Sequence, residues 1–108
     1  MDKFSRYFAD FHLAGFTYWD GVDVVSQLKV GDRLDIVLED ENPFDPQAVA
    51  LCFQGKKIGY IPRGDNSTVS KLLYFGHEIF EATINQLDLE KHSERQVHVV
   101  LRLKDERD

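Results

Sequence analysis

The sequence predicts a mainly β fold: a small, partly open β-barrel of about six strands with one short helix and one helical turn. Three observations carry this. Short segments of alternating or aromatic-rich apolar residues recur along the chain, each bounded by Gly, Pro or Asn. Only one segment has the apolar spacing of a full helix. The chain has 108 residues, the length of one domain, so residues 1–108 are expected to form a single unit.

The first strand is Tyr7 to Leu13, rich in aromatics and ended by Ala14-Gly15. Val22, Val25 and Leu28 then recur every third residue, which suits a helical turn closed by Gly31-Asp32. From Arg33 to Glu39, Leu34, Ile36 and Leu38 alternate with charged residues, the pattern of a half-buried strand. Asp40 to Pro46 holds Pro43 and Pro46, neither suited to a strand interior, and reads as a turn. Ala48 to Phe53 is an apolar strand, Gln54-Gly55 a tight hairpin turn, and Lys56 to Ile61 the return strand.

Val69, Leu72 and Leu73 form one apolar face of the helix. Asn66 or Ser67 is expected to cap it and Gly76 to stop it. Two strands complete the barrel. Ile79 to Leu87 turns Phe80, Ala82 and Ile84 to one face. Val97 to Leu103 turns Val97, Val99, Leu101 and Leu103 inward, with His98 and Arg102 outward.

Composition limits the function. The formal net charge is −6 and there is one cysteine. That excludes an intramolecular disulfide, a Cys-rich zinc site and a blanket basic surface. Cys52 reads as a small core residue. The N-terminus lacks the apolar stretch of a signal peptide, and the longest apolar run, Ala48 to Phe53, is far short of a membrane span. A cytoplasmic location and no membrane partner are expected. His12, His77, His92 and His98 show no metal-ligand spacing, and no cofactor is expected. There is no nucleophile elbow, phosphate-binding Gly-rich loop or HExxH.

Two features point to a surface that binds. Gly15-Phe16-Thr17-Tyr18-Trp19-Asp20-Gly21 sets three aromatics between glycines. One or two of them can plug the barrel end; a ring left outside offers a stacking platform for nucleobases. Between Gln54 and Leu73, Lys56, Lys57, Arg63 and Lys71 stand against Asp65 alone, a net of +3 that leaves −9 on the rest of the chain. Phosphate contact there is one reading and ordinary solvated lysines the other. Asp40, Glu41 and Asp45 are a carboxylate cluster that a metal-dependent nuclease could use, although acids in a Pro-rich turn usually serve turn chemistry.

The blocks Leu28-Lys29-Val30-Gly31-Asp32-Arg33-Leu34, Asn42-Pro43-Phe44-Asp45-Pro46-Gln47-Ala48-Val49 and Lys57-Ile58-Gly59-Tyr60-Ile61-Pro62-Arg63, with Gly15 and Tyr18 before them, resemble the HIRAN domain. The resemblance runs from about Phe11 to about Ile84, most of the chain. It implies a small barrel of modified OB or SH3-like type. In eukaryotes such domains sit at the N-terminus of helicases that remodel stalled replication forks, and bind the 3′ end of single-stranded DNA. Bacteria also have stand-alone members, and this chain looks like one.

Carried over by motif, Tyr18 takes the place of a base-stacking tyrosine, and Asn42 and Asp45 those of polar residues at the terminal nucleotide. Phe44 falls where DNA-binding members have a second stacking tyrosine; it keeps the ring and loses the hydroxyl. Thr17 replaces a basic residue, and Tyr60 falls where a histidine occurs in the eukaryotic form. An ionised Asp45 would accept a hydrogen bond from a 3′-hydroxyl and repel a 3′-phosphate. The bland alternative is that Asn42 and Asp45 only shape their turn.

The leading expectation is therefore a non-enzymatic single-stranded DNA-binding module that prefers 3′-hydroxyl ends, in DNA repair or processing. Tyr18, Trp19 and Phe44 would stack, Asn42 and Asp45 hold the terminal sugar, and Lys56, Lys57, Arg63 and Lys71 meet phosphates, with Thr17 and Tyr60 beside them. A helicase or nuclease would be its partner protein. The rivals are a protein-interaction module using the aromatic loop and, last, a nuclease built on Asp40, Glu41 and Asp45.

Overall fold

The computed structural model describes residues 4–16, 24–91 and 95–107. All strand pairings are antiparallel. The strands are β1 (Tyr7–His12), β2 (Arg33–Leu38), β3 (Val49–Phe53), β4 (Lys56–Tyr60), β5 (Phe80–Leu87) and β6 (Val97–Leu103). A 3-10 turn at Val25–Gln27 precedes β2. A second, at Arg63–Asp65, leads into the helix α1 (Ser67–Tyr74). The strand order is β1-β6-β5-β2-β3-β4 in one six-stranded sheet.

The sheet curls until its ends meet. Beyond β1, Ala14 pairs with Tyr60 of β4 through reciprocal backbone hydrogen bonds, both 2.9 Å. Gly59 permits this contact: a Cβ there would lie 2.6 Å from the carbonyl oxygen of Ala14 and 2.6 Å from Cγ of Leu13. No side chain fits at such distances, so the barrel seam depends on that glycine.

The hairpin between β3 and β4 follows from its turn residues. Gln54 and Gly55 both have positive φ, 49° and 83°, the signature of a two-residue type I′ turn whose twist matches the strands it joins. A bulge then shifts the register, so that Cys52 faces Lys57 but Leu51 faces Gly59.

The inward residues of the strands form one apolar core, including Phe11, Leu34, Val49, Leu51, Ile58, Ile84, Val97, Val99 and Leu101. From α1, Val69 is fully buried in it and Leu72 and Leu73 pack against it, as the helical spacing predicts. Phe16 is also in the core, so one of the three loop aromatics plugs the barrel.

Several expectations need correction. Leu103, the last residue of β6, still pairs with Phe80, but its side chain is exposed at the strand end. Cys52 is only half-buried, as its position on β3 alternates away from the core. Asn66 stands at the N-cap of α1 but makes no side-chain cap bond; its amide is engaged elsewhere. Val22 lies outside the described residues. Among the described residues, no helix is long and apolar enough to cross a membrane.

Candidate nucleic-acid interface

A cleft of about 770 Å³ lies beside the barrel seam. Its walls come from three places. Ala14 and Gly15 follow β1, residues from Glu39 to Asp45 form the β2–β3 loop, and Lys57, Tyr60, Ile61 and Arg63 belong to β4 and the segment after it. Asn42, Phe44, Asp45, Lys57, Tyr60 and Arg63, expected from the sequence to act together, therefore line one cleft. Lys56, at the hairpin tip, and Lys71, on α1, are exposed and do not line it. Thr17, Tyr18 and Trp19 lie outside the described residues.

The β2–β3 loop is shaped by its own side chains. The Asn42 Oδ1 accepts from the backbone N–H of Phe44 at 2.9 Å and of Asp45 at 3.2 Å. The Asp45 Oδ1 accepts from the N–H of Gln47 at 2.9 Å. Both are Asx-type turns, a chemistry in which short polar side chains replace a backbone partner. The loop is also tied to α1. The buried Asn66 donates from Nδ2 to Asp45 Oδ2 at 3.0 Å. This bond turns the side chain toward the loop, and its Oδ1 makes no cap bond to the helix. Arg63 donates to the carbonyl of Phe44 at 3.1 Å, and its Nε lies 3.8 Å from the Asp45 carboxylate.

Phe44 itself is left outside. It is 83% exposed on the lip of the cleft. A large ring so exposed, on a loop held from several sides, offers a flat apolar face at a fixed place.

The opposite wall is a polar network that the sequence does not announce. Lys57 Nζ lies 2.6 Å from Glu39 Oε2 and donates to the hydroxyl of Tyr60 at 2.8 Å. That hydroxyl donates to Glu39 Oε1 at 2.7 Å, and Asn42 Nδ2 reaches the same oxygen at 3.1 Å. The lysine also sits over the Tyr60 ring, 4.9 Å from its centroid. Burial pushes the Glu39 carboxyl up, but hydrogen bonds from Lys57, Tyr60 and Asn42 outweigh it and hold the pKa below the usual range. Burial pulls Lys57 down, and its bonds to Glu39 and Tyr60 more than restore it, leaving its pKa raised. Burial raises the Tyr60 hydroxyl as well. All three groups thus keep their ordinary charge states at neutral pH.

Glu39 was missed in the sequence because nothing local marks it. It is the outward residue at the end of β2, and its partner Lys57 is two strands away across β3. Its inclusion changes the charge of the site. Among the described residues, Glu39, Asp40, Glu41 and Asp45 line the cleft against Lys57 and Arg63. The basic character of the hairpin segment is therefore cancelled where the segment meets the cleft. Asp40, Glu41 and Asp45 do not make a metal centre: among the described residues, no group of three or more His, Cys, Asp or Glu is arranged to hold an ion.

Barrel and cleft together define a small β-barrel module with a cleft at its seam. The HIRAN domain family model matches residues 7–104, and the chain belongs to that family. HIRAN domains are non-catalytic DNA-binding modules, linked in general to DNA processing and replication-fork remodelling. A crystal structure of a protein from Lactobacillus plantarum superposes with a TM-score of 0.77 at 24% identity, covering 94% of this chain and 98% of that one. The crystal structure of the HIRAN domain of human HLTF superposes with a TM-score of 0.64 at 14% identity, covering 91% of this chain and 77% of that one. At these identities both likenesses speak to the fold. No curated protein matches the chain.

Proposed function

We propose that the cleft takes the terminal nucleotide of single-stranded DNA and prefers an end that carries a free 3′-hydroxyl, in DNA repair or processing. The observation that carries this reading is the lip: Phe44, 83% exposed, stands directly over a wall holding Asn42 and Asp45. A base stacks on the ring, and the sugar below it meets the carboxylate. Asp45 has two bonds already, to the Gln47 N–H and the Asn66 amide. A carboxylate accepts about four hydrogen bonds, so capacity remains for a hydroxyl.

The charge of the cleft supports an unphosphorylated end. Four carboxylates against two cations favour a neutral nucleoside terminus and oppose a terminal phosphate. Tyr18 and Trp19 would add stacking, with Thr17 and Tyr60 beside the nucleotide. Arg63 would meet the first phosphate, with Lys57 beside it. Lys56 and Lys71, outside the cleft, would meet phosphates further along the strand.

The test is titration of short oligonucleotides ending in 3′-hydroxyl or 3′-phosphate, at a fixed and stated salt concentration. The 3′-hydroxyl strand should bind at least about tenfold more tightly, the effect of one unfavourable charge contact of about 1.4 kcal/mol. Equal affinities would remove the end preference. Absence of binding to either would remove the nucleotide reading altogether.

A further inference from the structure

The cleft contains an anion of its own, paired with one of its lining cations. Glu39 Oε2 holds the ammonium of Lys57 at 2.6 Å, while Oε1 accepts from Tyr60 and Asn42 at 2.7 and 3.1 Å. Both side chains are about a quarter exposed, 25% for Lys57 and 24% for Glu39, so the pair sits on the cleft wall and not in the core. We infer that Glu39 is a built-in competitor for Lys57, which keeps the lysine from the strand phosphate and so holds the affinity of the cleft low. This rests on the nucleotide reading above and adds its regulation.

The reasoning is one of exchange. A phosphate that approaches Lys57 meets the carboxylate first, and must either displace it or share the ammonium with it. Displacement costs a short, partly desolvated ion pair and leaves Glu39 with only its two neutral donors. The net gain from the lysine is therefore much smaller than for a free one. Arg63 differs: its side chain is 74% exposed, its Nε is 3.8 Å from Asp45 and one Nη bonds the Phe44 carbonyl, which leaves other guanidinium N–H groups available at little cost. Of the two cations in the cleft, one is held in reserve and one is ready.

The substitution Glu39→Gln tests the effect: the amide oxygen keeps an acceptor for Tyr60 and Asn42, while the charge and the second acceptor that hold Lys57 are lost. Asp40→Asn and Glu41→Gln are the controls: each removes one negative charge from the same cleft, and neither residue is ion-paired with Lys57. Binding of a single-stranded oligonucleotide with a 3′-hydroxyl end is measured over a range of salt concentrations. Glu39→Gln should bind about three- to tenfold more tightly than the wild type at low salt, and at least about threefold more tightly than either control. Its plot of log affinity against log salt should steepen by about 0.7, one added phosphate contact on a single strand. A gain no larger than that of the controls, or a loss, would overturn the inference while leaving the nucleotide reading in place. If the wild type and every variant fail to bind, both fall together.

A measurement on the unaltered protein keeps the question open to refutation even if Glu39→Gln folds poorly. In carbon NMR of the wild type, the Glu39 carboxyl and Lys57 Cε resonances should keep the positions of the intact ion pair as the oligonucleotide saturates the cleft. Saturable binding that moves both together, as the pair gives way to the phosphate, would refute the inference.

Discussion

Phe44 leaves 83% of its surface in solvent, so its ring contributes little to folding and everything to the face it presents. Phe44→Ala should change the unfolding free energy by less than about 0.5 kcal/mol. The same change should weaken oligonucleotide binding by about 1–3 kcal/mol if a base stacks there. Denaturant melts and binding isotherms of one preparation check both halves. Its neighbour Asp45 gives no such clean test. Removing that carboxylate leaves the buried Asn66 amide and the Gln47 N–H without their acceptor. Asp45→Ala should therefore cost about 1–3 kcal/mol of stability in urea unfolding, and a binding loss in that variant would not by itself assign Asp45 to the ligand. Glu39 adds a dependence on pH. Its carboxyl pKa is lower in the folded protein than the ordinary value of 4.5, so folding favours the ionised form. The stabilisation is complete above about pH 4.5 and is lost as pH falls through the folded value. The stability difference between wild type and Glu39→Gln should accordingly shrink on acidification below about pH 4.5, read from denaturation midpoints across that range.

At the scale of elements, the barrel depends on how closely β4 approaches the segment after β1. Gly59 sits against Ala14 and Leu13 with no room for a methyl group. Gly59→Ala must push apart backbone that carries two hydrogen bonds, and should cost about 1–3 kcal/mol in chemical denaturation. The strands themselves were readable from the sequence, within a residue at most ends, because two-residue alternation is imposed by the pleat and does not depend on distant partners. β5 and α1 illustrate this: Phe80, Ala82 and Ile84 are all buried, and Val69 is at the centre of the apolar face. Asn66 shows where such reading stops. Its type and position mark a helix cap, yet its side chain bonds to Asp45, 21 residues earlier. A local pattern cannot report a competitor that only tertiary folding brings within reach.

For the whole molecule, the same limit applies to charge. The group Asn42, Phe44 and Asp45 was legible because it is contiguous and carries the family motif. The sign of the cleft was not. Counting along the chain gives a basic hairpin, but folding sets Glu39 against Lys57 and Asp45 near Arg63. The net charge of −6 thus extends into the cleft and does not surround a positive one. Such a surface has little electrostatic hold on duplex DNA. The bracing of the β2–β3 loop has a final consequence. Asn42 ties it to Glu39, Asp45 ties it to Asn66, and Arg63 holds the carbonyl of Phe44. A loop so fastened has little conformational entropy left to surrender when a ligand docks. On the function proposed, what a strand end would gain by stacking on Phe44 would then be kept as affinity and not consumed in ordering the receptor.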